Sequence, residues 1–388
     1  MSGFTATALL SGIATTVAAA GGNSADPTSL TPPTEPVCTT APAPGYAACD
    51  AIRRTDAHGK HGAGATAPAG LSPTDIRSAY NLTSDSTRTV AVVDAYDDPN
   101  AAADLAIYRS QYGLPACGTG CFTKLNQSGV AGNYPTASGA WAQEISLDLD
   151  MVSAACPSCH IVLVEANSNS LADLGAAVNT AASQPGVIAI SNSYGGNDLS
   201  DGSYGAFYNH PGIAVTASTG DNGYGVQFPA SSTYVTAVGG TSLKKVGNGW
   251  SESAWSGAGS GCSLLNNALT HQATFNTGCT KRAIADVAAV ADPNTGVAIY
   301  DSYAYQGYQG WLVFGGTSAA SPIIASVYAL AGHGSGPDAL YAGYASSNFH
   351  DVTNGSNSHH CKVTQWCNAR PGWDGPTGLG TPKGIGGF

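Results

Sequence analysis

From Leu71 onward the chain alternates short β-branched or apolar runs with longer segments of helical composition, and no other feature limits its fold as strongly. Thr89 to Asp94, His160 to Glu165, Val187 to Ser191, Ile213 to Ser218 and Val235 to Gly239 read as buried strands. Ala101 to Tyr112, Ala140 to Ala155 and Leu171 to Ser183 read as helices. Strands that alternate with helices build βαβ units on a parallel sheet, which makes this an α/β fold. Sites in such sheets lie beyond the carboxyl ends of the strands, where Asp94, Asp221 and Ser318 all fall.

Ser318 stands at the most suggestive of those ends. Trp311 to Phe314 reads as a strand, Gly315 and Gly316 turn the chain, and Ser321 to Gly332 is helical in composition. A serine at a loop-to-helix junction faces unpaired N–H groups and the positive end of the helix dipole, which favour developing negative charge. It could act as a nucleophile, or the Gly, Ala and Ser residues could simply let a helix start pack tightly. The choice depends on whether the chain supplies partners for this serine.

Two stretches qualify. Trp141 to Asp148 places Glu144 and Asp148 four residues apart, on one helix face with Cβ atoms ~5–6 Å apart, so that the two carboxyls titrate as a coupled unit. The same spacing also occurs on ordinary solvated faces. Asp150 points to another face and is expected at the surface or as a cap. Thr219-Gly220-Asp221-Asn222-Gly223 follows a strand and consists of ordinary turn residues.

Charge narrows the function classes. The 388 residues hold 25 acidic against 14 basic side chains, a formal charge of −11 at pH 7. Nucleic-acid binding needs Lys and Arg to displace counterions from phosphates, so the acidic balance argues against that class. Charged residues make up only 10%, which leaves few ion pairs to lose in acid. Ten cysteines fall into five close pairs, Cys38/Cys49, Cys117/Cys121, Cys156/Cys159, Cys262/Cys279 and Cys361/Cys367, a pattern that suggests disulfides and an oxidising compartment. Cys156-Pro-Ser-Cys159 could instead be a redox or zinc motif, but it lacks a second cysteine pair or a histidine at ligand spacing.

The apolar run Phe4 to Ala20 ends in Ala18-Ala19-Ala20, so residues 1–22 are expected to be a signal peptide, although without a basic start. Residues 23–68, rich in Pro, Gly and Ala, read as a poorly ordered leader or linker, and residues 69–388 as one large domain. No later apolar run is long enough to span a bilayer. A secreted, extracellular monomer that acts without nucleic-acid or membrane partners is expected.

Taken together, the motifs resemble the sedolisin, or serine-carboxyl peptidase, family. They are Glu144-x-x-Leu147-Asp148, Ser218 to Gly223 followed by Phe228 to Ser232 and Val235 to Thr241, and Gly316-Thr317-Ser318-Ala319-Ala320-Ser321-Pro322. The tail Asp351 to Gly355 and Gly372 to Pro382 also resembles the calcium-binding end of that family. The resemblance runs from about Leu71 to the C-terminus and implies a subtilisin-like parallel sheet flanked by helices, in a single catalytic domain with a C-terminal calcium-binding loop region.

By position, the resemblance makes Ser318 the nucleophile, Glu144 its general base, Asp148 the residue that orients Glu144, and Asp221 the oxyanion donor. Asp94 and Tyr194 would extend the network around them. A histidine base is lost near pH ~6.5, whereas a glutamate stays partly ionised down to ~4.3, so this set suits acid. Asp221 must be protonated to donate to an oxyanion. The substrates would be proteins or peptides. A subtilisin-type peptidase is the nearest alternative, since Val92-Val93-Asp94 resembles its triad strand, but no His-Gly-Thr motif follows. A non-catalytic binding protein on the same fold and a tripeptidyl-peptidase also remain open.

Calcium takes carboxylate and carbonyl oxygens in Gly-rich loops. The resemblance implies Asp351 and Asp374 as carboxylate ligands and Val352, Arg370 and Gly372 as carbonyl ligands. His359-His360 reads as surface loop.

Overall fold

The structure is a computed structural model that describes residues 1–3, 32–39, 42–57, 68–118 and 120–388. Met1–Thr31 and Pro32–Phe388 form separate units. The expected signal peptide, apart from its first three residues, lies outside the described residues. The elements up to the middle of the second unit are β1 (Thr34–Pro36), β2 (Ala48–Cys49), β3 (Ile52–Arg54), α1 (Pro73–Ala79), β4 (Thr89–Ala95), α2 (Ala101–Gln111), β5 (Phe122–Asn126), α3 (Gly139–Ala155), β6 (His160–Ala166), α4 (Leu171–Ala182), β7 (Val187–Asn192), β8 (Tyr194–Asn197), α5 (Asp201–Tyr204) and β9 (Ala214–Ser218). Then come β10 (Gln227–Phe228), β11 (Thr236–Val246), β12 (Gly249–Ala254), β13 (Gly261–Asn267), β14 (Lys281–Ile284), β15 (Val287–Val290), β16 (Val297–Tyr305), β17 (Tyr308–Gly315) and α6 (Thr317–Ala331).

The central sheet runs β12-β11-β9-β7-β4-β6-β5, with β15 also paired to β11. All its pairings are parallel except that of β11 with β12. All seven residues of β4 are buried, as expected for a parallel strand covered on both faces. The expected α/β sheet is therefore present, with boundaries shifted by a residue or two in most elements. β11 runs further than expected, and α6 starts at Thr317 rather than Ser321.

Local signals start some of the helices. Ser72 caps α1 and forms a reciprocal pair with Asp75, and the Ser170 hydroxyl accepts from the Asp173 N–H at the start of α4. α3 and α6 pack on each other and against the sheet. Every residue of α3 from Trp141 to Ala155 is buried, so it has no solvated face. That corrects the expectation for Asp150, which is 1% exposed and accepts the Tyr300 N–H at 2.9 Å, tying α3 to β16.

Residues 32–57 lie in the same unit as the domain, although their composition groups them with the leader. β3 pairs with β1 on one side and β17 on the other, and β2 pairs with β8. Val37, Ala47 and Ala51 join the continuous apolar core. Arg53 is fully buried and donates to Glu35, Gln143 and Gln306, with its guanidinium 3.8 Å from the centre of the Tyr308 ring. These contacts are long-range, so composition did not reveal them. All ten cysteines form the five local disulfides expected from their spacing, which rules out a free thiol pair at Cys156 and Cys159. Among the described residues, no helix is long and apolar enough to cross a membrane.

Candidate active site

β17 delivers Ser318 to the first turn of α6. Gly316 makes the turn with φ +94°, a conformation that favours glycine. Ser318 is fully buried, its Oγ donates to the Ser193 carbonyl at 3.2 Å, and its N–H donates to the Asp50 carbonyl at 3.1 Å.

α3 brings Glu144 and Asp148 to the same place on one face, both fully buried. The Ser193 hydroxyl lies 2.8 and 2.7 Å from the two Asp148 oxygens and 3.3 Å from the Ser318 carbonyl, so it connects the two helices. Both Glu144 oxygens lack a partner in full hydrogen-bond geometry. Burial pushes the Glu144 carboxyl well above its usual range. The Asp148 and Asp94 charges add to that rise, and the nearby Ser318 hydroxyl opposes it. Asp148 is raised as well, by burial and then by Asp94. Asp94, at the carboxyl end of β4, is fully buried with both oxygens unpartnered, and burial raises it to about 8. Three carboxyls this close share protons as one system.

Asp221 follows β9 in the glycine turn and approaches Ser318 from the other side. Its Oδ1 accepts from the Thr317 N–H at 2.7 Å and the Thr317 hydroxyl at 2.9 Å. Its Oδ2 is buried and has no partner. Burial holds this carboxyl well above its usual range, with the Asp50 charge as a further cause, which favours the protonated form and leaves Oδ2 as its free oxygen. A Cβ on Gly316 would collide with the Asp50 carbonyl oxygen and sit 2.6 Å from Asp221 Oδ2. Both oxygens therefore border the small space that a glycine leaves open above the start of α6.

Tyr194 is buried nearby, but its hydroxyl donates to Asn192 Oδ1 at 2.8 Å rather than to the carboxyls. Three site residues were not assigned these contacts from sequence. Ser193 belongs to none of the motifs, Ser218 is one letter of a motif, and Asp50 lies in the leader. The Ser218 hydroxyl donates to Asp50 Oδ2 at 2.7 Å, and burial raises Asp50 to about 7. The pair Cys38 and Cys49 marked that leader as held in place, but nothing local pointed Asp50 at Ser318.

The C-terminal loops form a second region. Asp374 is fully buried; its oxygens accept from the Thr377 and Arg370 N–H groups at 3.0 Å, and burial raises it to about 7. Asp351 accepts from the Gly372 N–H at 3.0 Å. The two carboxyls act on each other across one Gly-containing loop, and each keeps lone pairs for a hard cation, so the residues fit that group. Asp98, Asp104 and Asp301 gather ligand atoms within 4.8 Å elsewhere, at α2 and β16.

No family model matches the chain. Kumamolisin from Bacillus sp. (strain MN-32) is 28% identical over 368 residues, which covers 82% of this chain and 63% of that protein. Sedolisin from Pseudomonas sp. (strain 101) is 25% identical over 80% of this chain and 60% of that protein. The chain thus spans about six tenths of the length of these curated relatives. Among solved structures, Pseudomonas sedolisin complexed with two molecules of pseudo-iodotyrostatin superposes with a TM-score of 0.70, 24% identity and coverage of 81% of this chain and 95% of that one. A lanthipeptide protease reaches a TM-score of 0.51 at 13% identity, over 81% and 91%. Together these likenesses support the sedolisin family and its subtilisin-like fold.

Proposed function

We propose that the chain is a secreted, acid-acting serine-carboxyl peptidase that cuts proteins internally. One observation carries this reading: Ser318 is flanked by two sets of buried carboxyls with unpartnered oxygens, Glu144 with Asp94 on one side and Asp221 on the other. Buried polar atoms without partners are rare, and such concentrations mark functional sites. The two curated relatives support the serine-carboxyl peptidase part of this reading.

Ser318 Oγ attacks the substrate carbonyl carbon as Glu144 takes its proton, and Glu144 later returns that proton to the leaving amine. Asp148, held through Ser193, positions Glu144. The Ser318 N–H and protonated Asp221 donate to the oxyanion. Burial is the largest cause of the high Glu144 value, so admitting water and substrate lowers it and restores a charged base in acid. Asp351 and Asp374, with the carbonyls of Val352, Arg370 and Gly372, would hold a calcium ion that braces the C-terminal loops.

The test is hydrolysis of a denatured protein from pH 2 to 8 by wild type and Ser318→Ala, with mass spectra of the products. Activity confined to wild type, highest in acid and giving internal fragments, is expected. Equal activity in both proteins defeats the peptidase reading, and release of successive tripeptides defeats the internal-cutting part.

A further inference from the structure

Asp98, Asp104 and Asp301 come together from three places in the fold: the loop after β4, the first turn of α2 and β16. One oxygen of each lies within 4.8 Å of an oxygen of the other two. Asp98 and Asp301 are fully buried, and Asp104 is 1% exposed. All three are held in the same way. Asp98 Oδ1 accepts the Asn100 N–H at 2.9 Å, Asp104 Oδ2 the Ser302 N–H at 2.7 Å, and Asp301 Oδ1 the Tyr303 N–H at 3.1 Å. The second oxygen of each carboxyl is buried without a partner in full hydrogen-bond geometry, although the Gln143 amide approaches Asp301. The two oxygens of a carboxyl share a carbon, so Asp98 Oδ2, Asp104 Oδ1 and Asp301 Oδ2 border one space. Among the described residues, none of the three forms an ion pair. Lys124, whose charge reaches Asp98, is paired with Asp97 and Glu165. Buried carboxyls without a counter-charge are costly, and three that face one another add repulsion when ionised. Pro99 is exposed and Asn100 and Ser302 are half-buried, so a small ion has a short way in from the surface.

We propose that Asp98, Asp104 and Asp301 form a binding site for a hard divalent cation, calcium, which ties the loop after β4 to α2 and β16. The donors are all carboxylate oxygens, a set that suits a hard cation rather than zinc or copper. Oxygens on one calcium ion, each about 2.3–2.6 Å from it, lie at most about 5 Å from one another, and the three carboxyls meet that limit. Magnesium is smaller, demands a strict octahedron and keeps several waters, so it suits a buried trio less well. The backbone N–H bonds fix each carboxyl and leave one oxygen free, so an ion enters a site that is already arranged. With the ion bound, the three acids need no protons to stay buried at neutral pH. The site shares no residue with Asp351 and Asp374 of the C-terminal loops, so the two can be emptied separately. Asp98 follows Asp94 by four residues, and the ion therefore also steadies the end of β4 that carries Asp94. The proposal does not depend on the peptidase reading.

Asp351 is exposed, so Asp351→Ala removes a ligand from the C-terminal loops without disturbing the core. Full-length Asp351→Ala, Asp301→Asn and the double variant Asp351→Ala/Asp301→Asn are stripped with a chelator at pH 7 beside wild type, then dialysed against calcium chloride or magnesium chloride. Bound metal per chain is counted by elemental mass spectrometry, and thermal unfolding is followed with and without each metal. Asp351→Ala is expected to take up one calcium ion per chain and to unfold at a higher temperature with calcium than without, with a smaller shift in magnesium. The double variant should lose that ion, its calcium affinity falling by about tenfold or more. Circular dichroism of the metal-free proteins at pH 4, where the carboxyls can hold protons, checks that each variant folds, and Asp98→Asn takes the place of Asp301→Asn if the latter does not. Asp351→Ala that takes up no calcium and unfolds at the same temperature with and without it overturns the site, and the three acids then share protons instead. Equal uptake by Asp351→Ala and the double variant overturns it as well, because the ion then lies elsewhere. Equal stabilisation by magnesium and calcium overturns the choice of calcium.

Discussion

Two groups of completely buried carboxyls in this chain are built in opposite ways. Asp286 is fully satisfied: it pairs with Arg282 and accepts from the Ala237 N–H at 2.7 Å, the Tyr341 hydroxyl at 2.7 Å and Gln272 Nε2 at 3.2 Å. Glu144 and Asp94 have no cation, Asp94 has no hydrogen-bond partner, the Glu144 oxygens have none in full geometry, and Asp221 leaves one oxygen unpartnered. The first arrangement stabilises by matching a charge with its counter-charge and donors. The second favours the protonated form and keeps oxygens free for a reacting group. Burial alone therefore does not tell a structural acid from a reactive one, whereas the state of its lone pairs does.

The comparison is broken most directly at the reactive group. Glu144→Gln should lower hydrolysis by about 10³-fold or more with a far smaller effect on thermal stability, because the amide keeps the shape of the acid but cannot take the Ser318 proton. A stability loss as large as the activity loss would make Glu144 a structural residue. Asp286→Ala should do the reverse. It leaves Arg282 buried and uncompensated, which costs about 3–5 kcal/mol in denaturant unfolding, with hydrolysis per folded molecule unchanged.

Asp221 sharpens the contrast through a pair of variants. Asp221→Ala should lose about 10²–10³-fold in kcat by removing one oxyanion donor. Asp221→Asn keeps a donor that does not titrate, so it should retain most activity and lose the alkaline fall in the pH profile. An unchanged alkaline limb in Asp221→Asn would assign that limb to another group.

The buried acids with raised pKa values also set the direction of stability with pH. Asp50 and Asp98 are raised to about 7, and Asp94, Glu165 and Asp301 to about 8. Above pH ~4 the unfolded carboxyls release protons that the folded ones keep. The folded state then binds more protons, so stability is highest below pH ~4 and falls as pH rises through 7 to 8. Melting temperatures at pH 4 and pH 8 check this, and a higher value at pH 8 would contradict it. The smallest expected effect is at the C-terminal loops, where a calcium chelator should lower the melting temperature by a few degrees, about 1 kcal/mol or less, without changing the Ser318 chemistry.

How much was legible follows from how local each signal is. Strand and helix periodicity, the Ser72 and Ser170 caps and the near-neighbour cysteine pairs act within a few residues, and the structure contains them. The spacing of Glu144 and Asp148 put both on one face of α3, as found. Asp150 was misread because helical spacing shows which residues share a face but not that α3 is buried all round. Tyr194 lies beside the site in sequence and in space, yet its hydroxyl turns to Asn192. The stretch 32–57 reads as leader by composition because its partners, among them Ser193, Gly195, Ser218 and Phe314, lie far along the chain.

The sequence by itself determined the α/β alternation, the close spacing that suggests local disulfides, and the residues Ser318, Glu144, Asp148 and Asp221 as a set worth examining, because each of these rests on local geometry or on an ordered series of motifs. Tertiary structure alone decided which carboxyls lack partners, that Ser193 links Asp148 to the Ser318 backbone, and that the Asp50 carbonyl lies against the Ser318 N–H. Those properties depend on burial and on contacts between segments from 45 to more than a hundred residues apart, and such contacts form only when the sheet closes around the site.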